Sequence, residues 1–198
     1  MKPVVLVHGT WGRADLWHRP DSPLWAALVE RGYQPIEFLW SGLLGGYPHP
    51  IINPPSTDHM EGDLALWASE GEKLALFCQV RGLTKPDAIP HSHGLQVLSM
   101  AAADGQLFGH VLSLAGPVRK DMQKYREQAR PNIERWTQVV DRDGDLVIRQ
   151  GEAFDGQLGW KLDLSEADLQ IDAPGQGHSG LTLDIKAWDA LGLWGALR

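Results

Sequence analysis

Apolar and polar positions along this chain fall into short blocks whose period changes repeatedly. Val4–Val7 is an unbroken apolar run, the pattern of a strand buried on both faces. Ser22–Arg31 switches to helical spacing, with Leu24, Ala27 and Leu28 on one face and Gly32 as the stop. Pro35–Leu39 reads as a second strand. Ser41–Thr57 is rich in Gly and Pro and reads as loop. Over 59–81, Leu64, Trp67, Gly71, Leu74, Ala75 and Cys78 recur three and four residues apart, which predicts an amphipathic helix. Asp58 with Glu61 resembles its capping box. Asp87–Pro90 is a short strand, Gly94–Asp104 a helix and His110–Ala115 a strand. Lys120–Arg130 reads as a polar helix stopped by Pro131. Trp136–Val140 is a β-branched strand, Leu169–Ala173 the last strand and Leu183–Leu197 the last helix.

Six strands alternating with helices predict an α/β fold: a mostly parallel six-stranded sheet with helices on both faces. No linker divides the chain, so residues 1–198 are expected to form one domain. At 198 residues it buries a core without staples. Its 18 basic and 25 acidic residues leave a net charge of −7, which argues against a nucleic-acid binder. A single cysteine, Cys78, excludes a disulfide scaffold and reads as a core thiol. No apolar run approaches the ~20 residues of a membrane span. Met1-Lys2-Pro3 runs straight into a stretch too short for a leader peptide, so the cytoplasm is the expected location. Composition leaves the oligomeric state open.

In parallel sheets, function sits at the carboxyl ends of the strands. The third strand ends in Pro90-His91-Ser92-His93-Gly94 and runs directly into a helix. A Ser in such a sharp turn, with Gly two residues later, is the arrangement of a nucleophile elbow. The N–H of His93 and the positive end of the helix then favour an oxyanion. The first strand ends in His8-Gly9-Thr10-Trp11-Gly12. The Thr10 N–H is the best-placed second oxyanion donor, with Trp11 next. The fifth strand ends in Asp141-Arg142-Asp143-Gly144-Asp145, and the sixth in Gly175-Gln176-Gly177-His178. A carboxylate from the former and the imidazole of His178 from the latter suit a base that activates Ser92.

With these residues in this order, the chain resembles the α/β-hydrolase family, in particular its small esterases and lipases without a cap domain. The resemblance runs from Val4 to the last helix. It implies that Ser92 is the nucleophile, His178 the general base and acid, and Asp145 the residue that orients His178. Asp143 and Asp141 compete for the last role. It also implies an oxyanion hole of the Thr10 and His93 N–H groups, no cofactor and no metal. The family elbow usually opens on Gly, where this chain has Pro90. The expected reaction is cleavage of a small-molecule carboxylic ester, with short to medium acyl chains because only about 20 residues occupy the usual lid position.

Amide, thioester or lactone cleavage would use the same groups. A non-catalytic binding module on this scaffold is the alternative from another class. Asp141 to Glu152 partly mimics a calcium loop, but its glycine falls at the fourth position, not the sixth. His91 and His93 lack a third ligand at zinc-like spacing; one ring is expected under the elbow and the other at the cleft. His8 is expected to fasten the oxyanion turn. Trp11 and Trp40 are candidates for the acyl pocket, with packing the alternative for both. The basic residues of 119–130 are expected on a solvated face.

Overall fold

The computed structural model describes residues 1–10, 16–40, 57–149 and 161–198, and the backbone alone over 57–63. The sheet runs β2 (Tyr33–Phe38), β1 (Lys2–Val7), β3 (Asp87–Pro90), β4 (Phe108–Leu114), β5 (Ile133–Val140), β6 (Leu169–Asp172), and every pairing is parallel. Between them lie α1 (Pro23–Glu30), α2 (Thr57–Val80), α3 (Gly94–Ala103) and α4 (Gln123–Ala129); α5 (Ile185–Ala190) follows β6. Strands and helices thus alternate as the hydrophobic pattern predicts. Among the described residues, no helix is long and apolar enough to cross a membrane.

The alternation of strand side chains divides the core in two. Val5, Val7, Ala88, Val111 and Trp136 face α2, α3 and α4 with its preceding turn, which contribute Trp67, Leu74, Leu98, Ala129 and, from that turn, Met122. Val4, Leu6, Ile89, Leu112 and Val139 face the other way, onto Leu24 and Leu28 of α1 and Trp188 of α5. Val4–Val7 is therefore apolar at every position because both of its faces are covered. Each of those four side chains is fully buried, which stabilises by roughly 1.5–3 kcal/mol apiece for the larger ones. The Ser22 Oγ accepts the Trp25 N–H at 3.1 Å and caps α1, with Pro23 in the first turn. Cys78 lies in the core, and burial pushes its thiol up to about 12.

Three segments depart from the pattern. The expected helix over Lys120–Arg130 is short α4 flanked by single 3-10 turns at Lys120–Met122 and Arg130–Asn132. Its basic face is only partly solvated: Arg119 and Arg126 are buried, paired with Asp121 and Glu166. The expected last helix breaks after Ala190. Gly192 takes a left-handed conformation, and a 3-10 stretch follows over Leu193–Leu197. The second helix begins at Thr57, so Asp58 lies within its first turn and not at its cap.

Pro90 is accommodated at the last position of β3, opposite Val7 of β1. The His91 N–H donates to Val7 O at 2.9 Å, while the Ser92 N–H donates to Leu114 O at 3.0 Å. Donors alternate sides along a strand, so the missing proline N–H belongs on the β4 side. There the pairing is sparse: Ala88 opposite Val111, then a lone bridge from His91 to Leu114. The interrupted ladder absorbs the lost donor.

The start of α3 passes so close to β1 that a side chain at 94 has no room. A Cβ on Gly94 would lie 2.4 Å from Val7 O and 2.7 Å from His8 O. Both obstacles are backbone atoms at the carboxyl end of the central strand β1, so neither yields cheaply. Gly94→Ala is expected to cost about 1–3 kcal/mol as an overpacking substitution. Thermal unfolding would check this, with an unchanged melting temperature refuting the close-approach argument.

Candidate active site

Ser92 occupies the turn between β3 and α3 with φ at +51°, a left-handed conformation rare for a residue with a side chain. The strands on both sides hold it there. His91 N–H is bound to β1 and Ser92 N–H to β4, and Gly94 N–H closes the turn onto His91 O at 2.9 Å. The sharp reversal turns the Ser92 side chain toward the loop that follows β6. There its Oγ lies 2.9 Å from His178 Nε2.

The other ring nitrogen of His178 meets Asp145. His178 Nδ1 lies 2.9 Å from Oδ2 and 3.0 Å from Oδ1. Asp145 is fully buried, and its Oδ1 also accepts the Ile148 N–H at 3.0 Å from the helical turn over 146–149. A buried carboxylate at Nδ1 places the imidazole proton on that nitrogen. Nε2 is then left as an acceptor facing the serine hydroxyl. The structure thus brings Ser92, His178 and Asp145 together from three separate strand ends.

The two remaining acidic candidates go elsewhere. Asp143 is exposed. Asp141 is buried and turns its carboxylate onto backbone donors: Gly144 N–H to Oδ1 and Gly177 N–H to Oδ2, each at 2.7 Å. Burial alone would raise its pKa. The N–H groups of Gly177, Gly144, Asp143 and Gln176 outweigh burial and hold the carboxyl below its ordinary value. The oxygens that would open a calcium loop are therefore occupied by amides; residues 150–152 of that stretch lie outside the described residues.

The two histidines beside Ser92 have distinct surroundings. His91 Nε2 donates to His178 O at 2.9 Å, with its ring 5.2 Å from that of His178. Burial first, and the neighbouring His178 second, lower its pKa to about 3. His93 stacks on Trp67 at 5.4 Å, and its Nδ1 lies 2.8 Å from Thr10 Oγ1. The Arg119 guanidinium sits 4.7 Å from the same indole and pairs with Asp121 at 3.0 and 2.7 Å. Burial, then Arg119, holds His93 well below the usual imidazole range. The rings diverge to different partners, unlike a metal-binding pair.

The turn after β1 is fastened from below. His8 Nδ1 donates to Gly9 O at 2.8 Å while Nε2 accepts the Trp40 N–H at 3.3 Å. The Trp40 indole N–H donates to His8 O at 2.6 Å, and the two rings stack 5.5 Å apart. Trp40 is 1% exposed, so its described contacts are those of packing. Thr10 follows directly and is joined to the elbow through His93. Trp11 and the loop over 41–56 lie outside the described residues. Sequence reading missed two contacts: the His91 bond to the His178 carbonyl and the Asp141 bond to Gly177. Both join residues far apart in the chain, and the Asp141-x-x-Gly144 spacing points only to the carboxylate's local bond to Gly144.

No protein-family model matches this chain, and no curated protein sequence matches it. Solved structures do. A predicted CIB-like hydrolase of Thermoplasma acidophilum aligns with 98% of this chain and 84% of its own, at 16% identity and a TM-score of 0.59. A carboxylesterase structure of the thaumarchaeon Nitrososphaera gargenis aligns with 99% of this chain and 90% of its own, at 15% identity and 0.61. TT1662 of Thermus thermophilus aligns with all of this chain and 89% of its own, at 15% identity and 0.58. Strand order, parallel pairing and these likenesses agree: the chain has the α/β-hydrolase fold.

Proposed function

We propose that this protein is a serine hydrolase that cleaves carboxylic esters through an acyl-enzyme. One observation carries the reading: a serine in a left-handed elbow, 2.9 Å from an imidazole whose other nitrogen meets a fully buried carboxylate. Ser92 Oγ attacks the ester carbonyl as its proton passes to His178 Nε2. The Asp145 carboxylate stabilises the imidazolium and keeps its orientation. The N–H groups of Thr10 and His93 hold the oxyanion, each donor contributing roughly 3–4 kcal/mol in comparable sites. Collapse of the tetrahedral species breaks the bond to the alcohol oxygen, which takes the proton from Nε2. A water then gives its proton to Nε2, attacks the acyl carbon and releases the acid. The esterase of known structure that shares the fold supports an ester over other acyl substrates. The short segments between β4 and β5 leave little material for a lid there, which supports short to medium acyl chains.

Neutral histidines suit this chemistry. A cation at 91 or 93 would oppose the positive charge that forms on His178. Their depressed pKa values also make the fold acid-sensitive. Below about pH 6.5 the unfolded chain takes up a proton at His91 that the folded chain refuses until about pH 3. Stability is therefore present in full above pH 6.5 and is lost on acidification through that window. Melting temperature against pH is expected to fall less steeply between pH 6.5 and 4 for His91→Gln than for wild type. Equal slopes would count against a buried neutral His91.

The functional test is fluorophosphonate labelling read by intact mass, with p-nitrophenyl esters of graded chain length. Wild type is expected to take one adduct and Ser92→Ala none, with turnover falling by more than about 10³-fold. Activity is expected to peak at short to medium chains. A folded wild type that takes no adduct would sink the hydrolase reading. Asp145→Asn is expected to lower kcat by about 10⁴-fold, as loss of the orienting carboxylate does elsewhere. Asp143→Asn, on the exposed side of the same turn, is expected to stay within about twofold, an exposed change away from the site. The reverse ranking would reassign the acid.

A further inference from the structure

Resting on the hydrolase reading above, we infer that Asp141 is a positioning residue: its carboxylate ties the turn carrying Asp145 to the loop carrying His178. One oxygen accepts Gly144 N–H and the other Gly177 N–H, both at 2.7 Å. These are short, charge-assisted bonds. The first lies inside the turn that ends at Asp145, whose own N–H donates to Asp141 O at 3.1 Å. The second holds the N–H of Gly177, the residue before His178. One buried side chain therefore spans the gap between the proposed orienting acid and the proposed base.

Inside the loop after β6, Gln176 N–H donates to Ala173 O at 3.3 Å and Gly180 N–H to Gln176 O at 2.8 Å, but neither bond reaches the turn that carries Asp145. Gly175 and Gly177 both adopt positive φ, and His178 keeps 17% of its side chain exposed. Gln176, Gly177 and His178 are part-buried between buried Ala173 and Leu181, so polar ties carry much of their placement. Asp141 fixes the residue before His178, and His91 fixes the carbonyl of His178 itself at 2.9 Å. With both sides of the residue held, the imidazole reaches Ser92 and Asp145 together.

Local sequence is fitted to this role. A Cβ at Gly144 would lie 2.3 Å from Asp141 Oδ2 and 2.8 Å from its Cγ. Gly144 has no positive φ to explain it, so its reason is room for the carboxylate. Asparagine at 141 offers one acceptor oxygen where two are used, and it would turn an NH2 donor onto one of the amides. A shift of about 1 Å in a reacting group can cost on the order of 10²-fold in rate.

The test compares wild type, Asp141→Asn, Gly144→Ala and the double variant. Each is measured for melting temperature, for kcat and KM on a p-nitrophenyl ester, and for the rate of fluorophosphonate labelling. Both single variants are expected to lower kcat by about 10- to 100-fold, with KM unchanged within about twofold. Labelling should slow in parallel and stay confined to Ser92. The double variant should fall no further than the worse single one, because both changes act through the same carboxylate. In proton NMR, the downfield resonance of His178 Nδ1–H against Asp145 should broaden or vanish in Asp141→Asn while the fold is retained.

A folded Asp141→Asn with wild-type kcat overturns the inference. So does a loss confined to KM, or a double variant whose losses multiply. If Asp141→Asn does not fold, Gly144→Ala decides: folded and fully active, it refutes the tie. If neither folds, Asp141 is a folding determinant and the positioning role is rejected. Failure of wild type to label at Ser92 refutes the hydrolase reading instead.

Discussion

The site depends on one strained residue held between two strands. Ser92 sits at φ +51° while the peptide before it remains bonded to β1 and its own N–H remains bonded to β4. A left-handed residue of this kind costs of order 1–3 kcal/mol and persists only where its surroundings over-determine it. Here the sheet supplies that surrounding. β1 and β4 are buried, and their carbonyls at Val7 and Leu114 have fixed positions. The elbow therefore projects a hydroxyl from between two central, buried strands. The same packing brings α3 against β1 so closely that residue 94 must lack a side chain.

The other groups come from the turn after β5 and the loop after β6, and hydrogen bonds hold them toward Ser92. Asp145 lies in a tight turn, and His178 lies on a glycine-containing loop. Each backbone tie there replaces apolar packing that a surface loop cannot provide. The donors and acceptors are unequal in kind. Asp141 brings a full negative charge to amide donors, and those donors in turn stabilise the charge. His91 contributes a neutral imidazole, kept neutral first by its burial and next by the neighbouring His178. Electrostatics and positioning are thus one arrangement: the groups that hold the loop keep His178 Nε2 2.9 Å from Ser92 Oγ.

A second polar layer lies beneath the cleft on the α2–α4 side. His93, Trp67 and Arg119 stack in sequence, and Arg119 pairs with Asp121 while Arg126 pairs with Glu166. Buried ion pairs contribute little net stability but resist removal of one partner, since that strands a charge. Their position behind the elbow residue gives His93 one orientation, with its Nδ1 toward Thr10. The turn after β1 and the elbow are thereby joined side chain to side chain, as well as through the sheet.

The sequence alone determined the alternation of strands and helices, because a strand covered on both faces must be apolar throughout and a helix covered on one face must repeat every three to four residues. It also placed Ser92, the acidic turn and His178 at strand ends, since where a residue falls relative to its own strand is a local property. Element ends were less legible. The last helix breaks at Gly192, where docking of Trp194 against Trp188 overrides helical periodicity. Arg119 and Arg126 looked solvent-facing because composition carries no record of partners such as Glu166, 40 residues away from Arg126. Three carboxylates in one turn could not be told apart by spacing. Only the tertiary fold decided that Asp145 meets His178 while Asp141 ties two loops. That choice depends on which oxygen reaches which N–H across the sheet, a distance that no local pattern encodes.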